Sequence, residues 1–221
     1  MIIQKNTFKF LQRLAANNNK PWFDENRADY EAAKANFLEF TTGLIKQIET
    51  FDEGIKGIEP KKTLFRINRD IRFSKDKSPY KTNMGTSINK GGKKVMTAGY
   101  YFHLEPGNKS FAAAGCYQPE PDVLQSIRQE IDYNLGDFNK ILKSAAFKKY
   151  FDGLDEIEKL KSAPKGYDPE NPAVELLKHK HFIVSRNYKD KEILDPGFQK
   201  ELVSCYKVSY PLIKFLNHAF S

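Results

Sequence analysis

Cysteine is scarce in this 221-residue chain. The two that occur, Cys116 and Cys205, stand alone. Neither has a second Cys or a His at metal-ligand spacing, which excludes a cysteine-based metal site. Buried free thiols are expected; a catalytic thiol would need exposure and a nearby base, and Cys116, among small residues at a strand end, is the better placed for that. Histidine is limited to four residues, His103, His179, His181 and His218. His179 and His181 lie two apart and would share one face of a strand, but two ligands without a carboxylate cluster do not make a metal site. No metal and no cofactor are expected. His103 could be a general base or simply a packed residue. Long apolar runs are absent as well; none approaches the roughly 18 to 20 residues that a membrane span needs. The opening MIIQKNTFKFLQRL alternates polar and apolar residues too often for a signal-peptide core. These absences predict a cytoplasmic protein with no membrane partner.

What is present is concentrated. Residues 61–94 hold eleven Lys or Arg and two Asp, a balance of +9. The chain as a whole has 36 Lys+Arg and 28 Asp+Glu, so the remaining positions carry 25 and 26, a balance of −1. The basicity is one local field, and such a field implies an anionic partner. Seventeen Phe and eleven Tyr supply the volume of a core.

The apolar periodicity predicts α+β architecture in a single domain over 1–221, with an antiparallel-rich sheet packed against N-terminal and C-terminal helices. A short helix is expected over 7–16, with Thr7 as its cap. A long one is expected over 25–50, where Tyr30, Ala33, Phe37, Phe40, Leu44 and Ile48 form a stripe. One or two strands are expected within 55–73, and a loop over the Gly- and Lys-rich 85–94. Residues 97–104 and 110–117 predict a hairpin around Glu105-Pro106-Gly107-Asn108. On its first strand Tyr100, Phe102 and Leu104 share one face and Tyr101 and His103 the other; Glu105 is too near the turn to assign. The second strand, through Ala112, Ala113, Ala114 and Gly115, is small-sided enough for a helix, a backbone or a ligand to approach closely. Further helices are expected after Pro121 and around Phe138, a Pro-rich loop over 162–172, and a strand over 181–187. A last helix, containing Pro211, is expected over 198–220. No βαβ alternation and no internal repeat appears.

Four clusters could carry chemistry. Arg66, Arg69 and Arg72 are spaced by three; on a regular strand 66 and 72 share a face and 69 opposes them. Guanidinium forks suit phosphate and carboxylate, but Asp70 could hold an arginine internally. Lys75, Lys77 and Lys81 surround Tyr80, a pattern that can bind phosphate and stack a base, or be a loop with one anchoring ring. Gly85–Gly92 lacks the residue order of a phosphate loop, and Lys93-Lys94 adds little to it. Lys165, between Pro164 and Gly166, could reach into a site or lie on a surface turn.

These stretches together resemble the bacterial and fungal domain-of-unknown-function family 2461. The resemblance rests on Asn18-Asn19-Lys20-Pro21-Trp22-Phe23 with Asn26-Arg27 and Tyr30, and on Phe65 to Phe73 with Lys77-Ser78-Pro79-Tyr80-Lys81-Thr82-Asn83. Gly99-Tyr100-Tyr101-Phe102, Gly115-Cys116-Tyr117-Gln118-Pro119, Ala163 to Tyr167 and Leu176-Leu177 complete it. It implies one full-length domain with a shared site. It implies no activity, substrate or cofactor, and no catalytic residue.

The expected site therefore comprises Arg66, Arg69, Arg72 and Lys81 for a phosphate- or carboxylate-bearing small molecule, Tyr80 and Tyr100 for stacking or hydrogen bonding, and Lys165 for closing it. Two alternatives stand beside it: a nucleic-acid-binding protein, and a structural or interaction module. Convergent arginines favour the ligand, spread arginines the nucleic acid, and internally paired arginines the module. No triad, metal set or carboxylate pair argues for an enzyme.

Overall fold

The computed structural model describes residues 1–92 and 95–220. Helices α1 (Lys5–Ala16), α2 (Lys20–Glu25) and α3 (Arg27–Ile48) come first. Ala33, Phe37, Phe40, Leu44 and Ile48 of the long stripe are buried, as the spacing predicts. Thr7 does not cap α1. The helix begins at Lys5, and buried Thr7 instead donates its hydroxyl to Asn36 Oδ1 at 2.8 Å. The same oxygen accepts the Gln4 N–H at 2.9 Å, so Asn36 ties α1 to α3.

A 3-10 turn (Glu53–Ile55) and α4 (Pro60–Thr63) follow. Here the strands expected within 55–73 shrink to isolated bridges, Leu64 opposite Thr86 and Asn68 opposite Tyr80. Pro60 starts a helical turn, and Pro79 has no N–H with which to extend a ladder. Residues 66–81 form an arm that closes on itself. The Arg69 N–H donates to the Pro79 carbonyl at 2.9 Å, and the Lys81 N–H to the Ile67 carbonyl at 2.8 Å.

The loop expected over 85–94 begins with a strand, β1 (Met84–Asn89). Its small polar residues hide an alternation in which Met84, Thr86 and Ile88 turn inward and are buried. Lys93 and Lys94 lie outside the described residues. The predicted hairpin is β2 (Gly99–Leu104) and β3 (Ser110–Cys116). Helices α5 (Pro121–Tyr133), α6 (Leu135–Lys143), α7 (Ala145–Lys148) and α8 (Val174–Leu177) precede β4 (Phe182–Tyr188), and α9 (Asp190–Ile193) and α10 (Phe198–His218) close the chain.

The sheet order is β1-β2-β3-β4, antiparallel throughout, so the architecture is α+β. One face carries the helices. The Phe102 ring lies 6.2 Å from Phe37, 5.6 Å from Phe40 and 5.6 Å from Phe198, joining β2 to α3 and α10. Tyr206 of α10 donates its hydroxyl to the Tyr101 carbonyl at 2.7 Å. Because strand side chains alternate, every odd-numbered residue of β1, β2, β3 and β4 points away from that layer. No helix among the described residues is long and apolar enough to cross a membrane.

Candidate functional site

The face of the sheet opposite α3 and α10 is hollowed by a groove of about 890 Å³. Its floor follows from register. Ser87, Tyr101, Ala113 and Ser185 stand side by side across all four strands, and Asn89, Gly99, Gly115 and Ile183 form the next row. Most of these side chains are short, and that is why a depression exists there. Taller residues make the walls: Phe65, Val95, Met96, Tyr117 and Ile157, all exposed. Such a volume with apolar walls is within the usual range for small-molecule sites. Asp155 closes the β4 side. Its carboxylate accepts the Ser185 N–H at 3.0 Å, and burial pushes its proton affinity up.

Phe65 and Tyr101 also line a second, smaller hollow of about 470 Å³. Its other walls are Arg69, Asp70, Lys81, Asn83 and His103. The two hollows are neighbours that share an aromatic partition, one largely apolar, the other polar and charged.

Tyr101 stands at the partition. Its ring meets Phe65 edge-on at 6.0 Å. Its hydroxyl lies 3.1 Å from His103 Nδ1, and His103 Nε2 lies 2.9 Å from Glu105 Oε2. The imidazole stacks on Phe111 of β3 at 4.7 Å and 16°. Thr82 donates its hydroxyl to Glu105 Oε1 at 3.2 Å, and the Lys109 ammonium is 3.7 Å from that oxygen. Burial and the nearby Glu105 carboxylate push the Tyr101 phenol up to about 12, so it holds its proton at neutral pH.

The residues singled out from the sequence divide. Arg69 and Lys81 come together in the smaller hollow. Arg69 is only 25% exposed and is held by Asp76 and Ser78; the Lys81 ammonium lies 5.4 Å from the Phe65 ring centre. Arg66 and Arg72 line neither hollow. Arg72 is exposed and paired in a two-pronged bond with Asp70, at 2.9 and 2.7 Å. The three arginines thus do not converge as expected of a shared anion site, and two are paired with acids of the arm, as expected of a structural module.

Tyr80 is buried and stacked on Phe23 at 3.9 Å and 15°. The Asn18 side chain bonds both its backbone groups, at 2.9 and 3.1 Å. The ring anchors the arm to α2 and so fixes the neighbouring Lys81. Tyr100 is 1% exposed and faces the helices, where its hydroxyl donates to Asp52 Oδ2 at 2.9 Å. Lys165 is exposed on the loop before α8 and lines neither hollow. Both cysteines are buried, and desolvation pushes each thiol up to about 12.

Three residues central to this geometry, Tyr101, Glu105 and Asn83, carry no role in the sequence reading. The signal for two of them is the alternation Tyr101-x-His103-x-Glu105, which puts all three on one face even though β2 ends at Leu104. His179 and His181 line neither hollow, although His181 backs a wall of the larger one. His181 stacks on Tyr117 at 4.9 Å and its Nδ1 accepts the Gln118 N–H at 3.0 Å. Among the described residues no three of His, Cys, Asp and Glu are grouped as a metal site would require.

A family model described as conserved hypothetical protein (DUF2461) matches residues 6–215. Comparison with curated proteins and with solved structures finds no match.

Proposed function

This chain belongs to the DUF2461 family of conserved hypothetical proteins, and on that footing we propose that it binds a small organic acid with an apolar, aromatic-sized body. The body lies in the sheet groove, and the carboxylate or phosphate reaches past Phe65 and Tyr101 to Lys81, Arg69 and the Asn83 amide. The observation that carries this reading is the shared partition of Phe65 and Tyr101, which sets an apolar hollow beside one lined by Lys81, Arg69, Asn83 and His103, with Asp70 among them. Charged and amide donors at one end of an apolar cleft orient a ligand and select its head group. The Arg69–Asp76 and Arg72–Asp70 pairs weigh against a continuous basic stripe for nucleic acid.

Calorimetry with 2-naphthylacetate and the matched 2-naphthylacetamide tests this. The acid binds, and the neutral amide binds about tenfold or more weakly, as expected from losing a charge-assisted bond of roughly 1.5–3 kcal/mol. Lys81→Met erases the preference for the acid, and Ala113→Leu, which fills the groove floor, weakens both ligands. Equal affinity of the two compounds contradicts the assignment of the acid end.

A further inference from the structure

We propose that Tyr101, His103 and Glu105 form an acid–base relay that moves a proton between His103 and the bound acid, with Tyr101 as the residue that touches the ligand. The inference rests on the ligand reading above and adds a reaction to it.

The tautomer follows from geometry. A carboxylate oxygen 2.9 Å from Nε2 accepts only, so Nε2 carries a hydrogen. In neutral His103 the lone pair is then on Nδ1, and the phenol 3.1 Å away is its donor. Tyr101 in that state turns an oxygen lone pair to the ligand. When His103 is protonated, Nδ1–H donates to Tyr101 Oη and the phenol proton points to the ligand instead. One proton on the imidazole therefore switches Tyr101 between acceptor and donor.

The Glu105 carboxylate, 2.9 Å from Nε2, stabilises the imidazolium. The Phe111 ring beneath the imidazole and the Thr82 hydroxyl on Glu105 fix the orientation of the pair. The charged groups around His103 are Glu105 on its own strand, Lys109 beyond the turn, and Lys81, Arg69 and Asp70 from the arm. A high-affinity phenol proton suits this task, because Tyr101 passes a proton on without ionising by itself.

The substrate class is an organic acid with a dissociable C–H next to a carbonyl, close to the acid group. The step balances within these residues. The ligand C–H bond breaks and its proton bonds to Tyr101 Oη. The original phenol proton moves to His103 Nδ1. The electron pair stays on the ligand as an enolate, beside Lys81, Arg69 and Asn83. Reversal returns a proton to carbon or to oxygen, so the net reaction is tautomerisation with solvent exchange. Tyr101 is the catalytic residue; His103 and Glu105 are positioning and relay residues that act through it.

The test is deuterium exchange at the carbon beside the carbonyl of phenylpyruvate and 2-oxo-4-phenylbutanoate, followed by proton NMR in D2O. Binding is read in parallel from the Ala113 and Tyr101 resonances. The wild-type protein is expected to accelerate exchange by about 10²-fold over Tyr101→Phe, the lower range for general acid–base catalysis, and His103→Gln to fall to the Tyr101→Phe rate. Glu105→Gln is expected to lower the rate and move the acidic limb of its pH profile to lower pH, because an amide no longer stabilises the imidazolium; a merely structural role would leave that limb in place. Binding with wild-type exchange no faster than Tyr101→Phe overturns the relay and leaves the ligand reading intact. Failure of both acids to bind overturns the ligand reading and the relay with it.

Discussion

The hydroxyl of Tyr101 lies directly over Gly85 of the neighbouring strand: a Cβ built on that glycine would stand 2.7 Å from the phenol oxygen and 3.3 Å from the ring edge. The absent side chain leaves room for the phenol to lie on β1 and meet His103. Gly85→Ala should therefore displace the ring and destabilise by about 1–3 kcal/mol, the usual range for overpacking. In a Tyr101→Phe background the same change should cost less, since the closest clash is gone. Denaturant unfolding of the four proteins gives that coupling, and an additive result would show that the two residues do not interact.

Tyr100 and Tyr101 are adjacent and do opposite things. Tyr100→Phe removes the buried hydroxyl donated to Asp52 and should lower stability by about 1–3 kcal/mol through the unsatisfied partner, while leaving affinity for 2-naphthylacetate unchanged. Tyr101→Phe, which removes the hydroxyl partner of His103, should instead lower the affinity for 2-naphthylacetate, whatever it costs in stability. Melts and calorimetry on both variants separate the helix-facing residue from the groove-facing one.

Gly115 should tolerate nothing larger. Its φ is +131°, and a Cβ there would stand 2.0 Å from the Phe182 carbonyl oxygen. Backbone strain and a clash with backbone on β4 add, so Gly115→Ala is expected to lose more than about 3 kcal/mol. Soluble yield and the unfolding midpoint check this.

Acid should loosen the arm at a defined point. Hydrogen bonds from Arg69, then from the Ser78 N–H and hydroxyl, hold the Asp76 carboxyl down at about 2. A depressed folded value contributes stability that is complete above the unfolded value, near 3.8, and is lost as pH falls through about 2. NMR signals of residues 66–81 should stay constant down to pH 4 and change between about pH 4 and 2. Asp76→Asn should lose the part of that transition read at Arg69 and Ser78, while the Asp70–Arg72 pair, whose carboxyl is also held down by its arginine, still responds.

Much of this fold is legible in the sequence because its apolar spacing is regular. The α3 stripe and the β2–β3 hairpin read directly, and the run through Ala112, Ala113 and Gly115 already marks a place where something can approach closely. β1 does not read, because Gly85, Thr86 and Ser87 resemble a loop until their pairing with Phe102, Tyr101 and His103 is known. The arginines read in part: Asp70, named from the sequence as a possible internal partner, pairs with Arg72, whereas Asp76, which holds Arg69, is found only once the arm folds back on itself. Glu105 is hidden by its place beside the turn, although strand alternation carries its side chain past the last strand residue to His103.

The most direct measurement is a titration of isotope-labelled protein with 2-naphthylacetate, followed by NMR. The expected result is one saturation curve shared by groove residues Ala113 and Ser185 and by acid-end residues Lys81 and Asn83, with the Tyr100 side chain unmoved. Shifts confined to one hollow, two separate saturation curves, or changes only along the exposed arm around Phe73 would contradict a single site spanning the Phe65–Tyr101 partition.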